Sequence, residues 1–313
     1  MPRRRKPLPP SRPVNPAADP SLPSLETLEQ FTHASLGKWR QAGKQLEALS
    51  HTLFFDLERH RAEHAIELIE AIQAGLCGPF AFPSWARIID FRYSNQPLSL
   101  AGSVSRDGGR FNIGGSLNPA AYSKFPALYL AEDFETAYRE RFGIARHRQS
   151  GGLTAEELIL RRPGSFTHIE LRGSIESIID ISNLNALKPV AAILGKFKLP
   201  KSVLPRARAL NLKPPGLVRS SAGLQSQLLH PNWRLQPMQY DLPSNSQIFG
   251  RLCVAAGVHG ILYPSVKNST GRCLALFPQN WKSGESFVEI VGASPTEVET
   301  TRIDGASRLD PHY

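Results

Sequence analysis

Between Gly108 and Glu140 the chain carries three short runs whose residue types suit a reaction on a charged ligand. Gly108-Gly-Arg-Phe-Asn112 is a glycine turn presenting Arg110, and Phe125-Pro-Ala-Leu-Tyr-Leu-Ala131 is an apolar run ending near Tyr129. Asp133-Phe-Glu-Thr-Ala-Tyr-Arg-Glu140 opens on a helix N-cap residue and places Glu140 in the second helical turn. There Glu140 lies beside Thr136 and Ala137, on a face that small residues leave accessible. A planar guanidinium matches anionic oxygens through paired hydrogen bonds. A tyrosine offers a flat face and a hydroxyl, and a lone carboxylate can stabilise a developing cation. Each also has an ordinary explanation. Arg92 could pair with a surface carboxylate, Tyr129 could be a core residue, and Glu140 could be a solvated charge between Arg139 and Arg141. Ser244 could cap the helix that follows it, and Ser265 could form a turn.

Their joint order says more. Phe91-Arg92-Tyr93, then Gly-Gly-Arg-Phe-Asn112, then Leu-Tyr129-Leu-Ala-Glu, then Glu140, then Ser244-Asn-Ser-Gln247, then Leu262-Tyr-Pro-Ser265 follow one another over about 175 residues. This series resembles the RES domain, named for its arginine, glutamate and serine. The resemblance implies an ADP-ribosyltransferase-like α+β fold and an activity that consumes NAD by hydrolysis or phosphorolysis. Members are mostly toxins, each neutralised by an antitoxin or immunity protein. Carried over block by block, the implied catalytic set is Arg92, Tyr129, Glu140 and Ser244. The implied NAD-contacting set is Arg92, Tyr93, Arg110, Asn112, Tyr129, Gln247 and Ser265. The family often has Trp where Phe111 stands, a change between aromatics.

The chemistry fits these residue types. The nicotinamide of NAD is already a cation and leaves without a proton, so the positive charge growing on the ribose is what needs help. Glu140 is the expected stabiliser of that charge. Arg92 is the expected diphosphate or ribose clamp with Arg110 in reserve, and Tyr129 the expected stacking partner. Ser244 is expected to donate a hydrogen bond to ligand or to Glu140. Its motif supplies no histidine, so it is not read as a nucleophile.

These residues need elements to hold them. Residues 1–23 contain eight prolines and the cluster Arg3-Arg-Arg-Lys6, and they read as a disordered basic arm. From Ser24, Leu25, Leu28, Phe31, Leu46, Leu49, Leu53, Leu57, Ile66, Ile69 and Ile72 recur at helical steps, predicting a helical extension over 24–80 that Gly75, Gly78 and Pro79 end. Strands are predicted at 87–91, 127–131, 166–171, 177–181, 260–263, 273–277 and 287–291, with helices starting near Asp133 and Gln247. Thr154-Ala-Glu-Glu157 after Gly151-Gly152 has the pattern of a capped short helix. Elements do not alternate strictly, so the class is α+β with mixed or antiparallel sheets. The RES-type domain is placed at 85–295, with 188–237 as a basic, irregular insertion and 296–313 as a polar, frayed tail.

The net charge of +10 is uneven: between Asp180 and Asp241 there are nine Lys or Arg and no acid. Such a segment suits a phosphate-bearing ligand, a nucleic acid, an acidic protein or plain solvent. No helix-turn-helix, zinc-finger or RNA-binding aromatic motif is visible, which argues against nucleic acid. Cys77, Cys253 and Cys273 read as buried reduced thiols. His60 and His64 share a helix face but lack a third ligand, so no metal is expected. No signal peptide or membrane-spanning run is seen, giving a cytoplasmic expectation compatible with delivery by a dedicated secretion machine. Two rivals stand beside NAD cleavage: an ADP-ribosyltransferase acting on a protein or nucleic acid, and a non-enzymatic basic nucleic-acid binder. The acceptor and the oligomeric state are left open.

Overall fold

Alternating apolar stretches form strands close to their predicted positions, and the three-four stretches form helices. The computed structural model describes residues 33–145, 152–154, 157–158, 165–282 and 284–307. The basic arm 1–23, the start of the helical extension, Gly151 and the end of the tail lie outside them. The strands are β1 (Leu76–Cys77), β2 (Phe80–Asp90), β3 (Gly108–Gly109), β4 (Asn112–Ile113), β5 (Leu128–Ala131), β6 (Phe166–Ile175), β7 (Ile178–Asp180), β8 (Gly260–Pro264), β9 (Arg272–Leu276), β10 (Phe287–Ile290) and β11 (Arg302–Asp304). The helices are α1 (His33–Glu63), α2 (Ala65–Gln73), α3 (Phe134–Phe142), α4 (Leu184–Leu194), α5 (Val203–Ala209), α6 (Ser221–Leu228), α7 (Leu235–Tyr240) and α8 (Asn245–Ala255).

Nine strands form one sheet in the order β1-β7-β8-β9-β5-β2-β6-β10-β11, and β3 and β4 make a separate hairpin. β7 and β8 run parallel and the other neighbours antiparallel, so the class is α+β with a mixed sheet. Pro83 falls where the β2–β6 register shifts, between Phe82 and Trp85. That is where a strand tolerates a residue lacking an N–H.

Period-two burial divides the sheet residues between two cores. Leu128 and Leu130 of β5 join Trp85, Leu171, Leu262, Leu274 and Val288 on one side. Ala127 and Ala131 join the helices on the other, with Tyr129 packed beside them. The helical layer contributes Leu68 and Ile72 of α2, Tyr138 of α3, Leu187 and Val190 of α4, Leu228 of α6, and Phe249 and Cys253 of α8.

The chain divides into two compact units, 1–53 with 200–216, and 54–199 with 217–313. In the first, Leu49 of α1 packs with Val203 and Ala207 of α5, and Arg206 donates to the Thr52 hydroxyl at 3.1 Å. The second holds the sheet and the residues that concern function.

Four details differ from the sequence reading. The segment expected to be irregular forms α4, α5, α6 and α7, because buried faces such as Leu187, Val190 and Ala191 override its helix-poor prolines. Part of the expected frayed tail is β11, whose Ile303 is buried against the second core. Cys77 is exposed while Cys253 and Cys273 are buried, and burial pushes both of these thiols well up. His64 falls in the turn between α1 and α2 and not on one helix with His60, and both rings stack on Phe197, with centroids 5.8 and 5.1 Å from it. Among the described residues no helix is long and apolar enough to cross a membrane, and no group of His, Cys, Asp or Glu is placed to hold a metal ion.

Candidate functional site

α3 sets the position of Glu140. Asp133 caps the helix by accepting from the Thr136 N–H at 2.7 Å and the Thr136 hydroxyl at 3.0 Å. Thr136 and Glu140 are four residues apart and so share one face. That face meets the turn 265–271 joining β8 to β9. Asn268 donates to the Thr136 hydroxyl at 2.8 Å, and a Cβ at Gly271 would collide with the Thr136 side chain.

One turn further along, Glu140 Oε1 accepts from the Ser265 hydroxyl at 2.6 Å, the Val266 N–H at 3.0 Å and the Lys267 N–H at 3.3 Å. Ser265 Oγ in turn accepts from Lys267 N at 3.1 Å and Asn268 N at 2.9 Å, closing a serine turn. Among the described residues every hydrogen bond to this carboxylate falls on Oε1. The carboxylate is therefore held in a fixed pose by three donors from one loop.

The glycine turn and Tyr129 form the neighbouring wall. The Tyr129 hydroxyl donates to Asn112 Oδ1 at 2.9 Å and accepts from Phe111 N at 2.9 Å. Burial pushes this hydroxyl well up, so it remains protonated. Gly109 is required here, since a Cβ would run into the Tyr129 ring. Phe111 packs edge-on to Tyr263, with ring centroids 4.9 Å apart.

Arg110 is 7% exposed, and its guanidinium donates to the carbonyls of Leu228 at 3.2 Å and His230 at 3.0 Å. It lies 5.9 Å from the Trp233 ring centroid. The guanidinium of Arg234 stacks on the same indole at 4.4 Å. Partial burial lowers the pKa of Arg234, and so does Arg110. Asp107, Tyr129 and Glu140 act the other way, so each of these groups lies within electrostatic reach of Arg234.

Not every expected residue belongs to this constellation. Asn112 is fully buried and spends its amide inside the fold, donating to Ser103 O at 2.7 Å and Phe125 O at 3.0 Å and accepting from Gly109 N at 2.8 Å. Gln247 donates to the carbonyls of Asp107 at 2.7 Å and Asn112 at 3.1 Å, so it too is scaffold for the Arg110 turn.

Ser244 is the N-cap of α8 in a reciprocal capping box with Gln247. Its hydroxyl is engaged with Ser246 at 3.0 Å and Gln247. The hydrogen bond to Glu140 expected of Ser244 is made by Ser265 instead. A serine turn at a hairpin tip can offer its hydroxyl outward, whereas a cap hydroxyl is consumed by its own helix.

Arg92 is 73% exposed, pairs with Asp90 at 3.7 Å and stacks on exposed Tyr93 at 4.7 Å. Asp90 also binds Arg141, which ties this segment to α3 next to Glu140. Thr136, Asn268, Trp233 and Arg234 stand in the constellation without having been expected there as functional residues. The four-residue spacing to Glu140 and the Ser265-x-x-Asn268 pattern were legible signals for the first two. An aromatic beside an arginine within an acid-free run was the signal for the others.

Comparison with known proteins agrees with the motif order. The family model described as RES domain matches residues 84–298. No curated protein matches the chain. Among solved structures, a chain of the crystal structure of the M. tuberculosis MbcT–MbcA toxin–antitoxin complex is 16% identical with a TM-score of 0.38, covering 76% of this chain and 91% of that one. With the family pattern extending over more than half of its length, this chain belongs to the RES-domain family.

Proposed function

We propose that the protein cleaves the nicotinamide–ribose bond of NAD, with Glu140 as the catalytic carboxylate and Ser265, not Ser244, as the serine that orients it. The observation that carries this reading is the set of three donors converging on Glu140 Oε1, which aims the carboxylate without neutralising it. As the C–N bond breaks, its electron pair leaves with nicotinamide, which departs neutral, and positive charge grows on the ribose. A fixed carboxylate beside that carbon stabilises the charge without reorganising. Water attacking the same carbon gives ADP-ribose and releases its proton through Glu140 to solvent. Inorganic phosphate in its place gives ADP-ribose 1″-phosphate. Tyr129 bounds the nicotinamide ribose, and Arg110 supplies a cation for the diphosphate. Arg92, exposed and paired with Asp90, is assigned no step.

The family resemblance extends the proposal to a growth-arresting toxin of the cytoplasm, held in check by an antitoxin or immunity protein. The test is nicotinamide release from NAD by wild type and Glu140→Gln, with and without phosphate. Loss of the charge is expected to cost about 10²- to 10³-fold in turnover. A folded wild type that releases no nicotinamide, or a Glu140→Gln variant that is fully active, overturns the reading. Radiolabel fixed to a macromolecule in place of free ADP-ribose identifies a transferase.

A further inference from the structure

The acid-free segment between Asp180 and Asp241 reaches the candidate site through the carbonyls of Leu228 and His230, which hold Arg110, and through the dipeptide Trp233-Arg234. Trp233 is buried, and its indole is flanked by two guanidiniums, Arg110 at 5.9 Å and Arg234 at 4.4 Å. Arg110 is buried and held by main-chain carbonyls at the C-terminal end of α6. Those acceptors fix its direction but leave its charge intact, and a helix C-terminus favours a cation. Among the described residues neither guanidinium has a carboxylate within ion-pair distance, and each repels the other. A buried guanidinium beside a second, exposed one, with neither paired to a carboxylate among the described residues, is a place where an anion gains from both charges. The diphosphate of a dinucleotide carries two negative charges on adjacent groups and presents paired oxygens to a guanidinium fork.

We propose that Arg234, presented on the face of Trp233, is the second half of a diphosphate clamp whose first half is Arg110. This rests on the NAD reading above and deepens it: the basic segment serves the small-molecule site. The partner it recognises is then the diphosphate of the substrate, not a nucleic-acid backbone.

Calorimetric titration with ADP-ribose, which retains the diphosphate and needs no turnover, measures the clamp directly in wild type, Arg234→Gln and Arg234→Lys. Arg234→Gln is expected to weaken ADP-ribose by at least about tenfold, and Arg234→Lys to recover part of it, because an ammonium supplies charge without the fork. In steady state, Arg234→Gln raises KM for NAD with kcat largely kept, and kcat/KM falls less for nicotinamide riboside, which has no phosphate. Unchanged ADP-ribose affinity in Arg234→Gln overturns the proposal, as does a fall in kcat at constant KM. If wild type fails to cleave NAD, the assignment of NAD cleavage falls by itself, while the ADP-ribose titration still decides the clamp.

Discussion

Replacing Ser265 by alanine separates the two candidate serines by a measurable amount. The hydroxyl lies 2.6 Å from Glu140 Oε1, the range of a hydroxyl donating to a charged carboxylate. Such a bond contributes about 1.5–3 kcal/mol. At about 1.4 kcal/mol per tenfold in rate, its full loss corresponds to a fall of about 10- to 150-fold. Two considerations pull in opposite directions. Val266 and Lys267 continue to donate to Oε1, which keeps the carboxylate partly aimed. Yet Ser265 Oγ also accepts from Lys267 and Asn268, so its removal loosens the turn that supplies those donors. The expected fall is therefore on the order of 10- to 100-fold in kcat for nicotinamide release, at saturating NAD. Ser265→Thr keeps the hydroxyl and is expected to recover most of it. Ser244→Ala removes a helix cap and costs about 1 kcal/mol, a drop of a few degrees in Tm, with kcat close to wild type. Wild-type kcat in Ser265→Ala, or an equal loss in Ser244→Ala, refutes the assignment of the serine.

Two further perturbations test the surroundings. Gly109→Ala drives a methyl into the Tyr129 ring, and the ring cannot retreat without losing its bonds to Asn112 and Phe111. Thermal melting and NAD turnover should both fall, by about 1–3 kcal/mol in stability, and an unaffected melt would show that the contact relaxes freely. Glu58 is a pH probe of the α1 region. Burial raises its carboxyl, but Arg251 and Arg61 outweigh burial and hold it below its ordinary 4.5. The unfolded chain then binds that proton more tightly, so the pairing stabilises fully above about pH 5 and is lost as pH falls through the folded value. Glu58→Gln should lower Tm at pH 7 and flatten the acid side of the Tm profile, and parallel profiles would exclude the linkage.

The sequence by itself determined most of the elements. Alternation along 127–131 and 273–277 specified strands because each must bury one face on either side of a sheet. Asp133 and Ser244 announced helix starts because a short oxygen-bearing side chain there satisfies a free N–H. The family resemblance carried by the motif order implied Arg92, Tyr129, Glu140 and Ser244 as the catalytic set, with Arg110 and Ser265 among the NAD-contacting residues.

What only tertiary structure decided is which of them meet. Ser244 and Ser265 look alike along the chain, but one hydroxyl is consumed within its own helix, while the other stands on a hairpin tip docked against α3. Asn112 and Gln247 read as ligand-binding amides, yet burial forces every polar atom to find a protein partner, and they became the frame of the Arg110 turn. Trp233 and Arg234 stand side by side in an acid-free run, but nothing local tied them to Arg110. Their place beside Arg110 depends on contacts more than 100 residues apart in sequence, which no periodicity records.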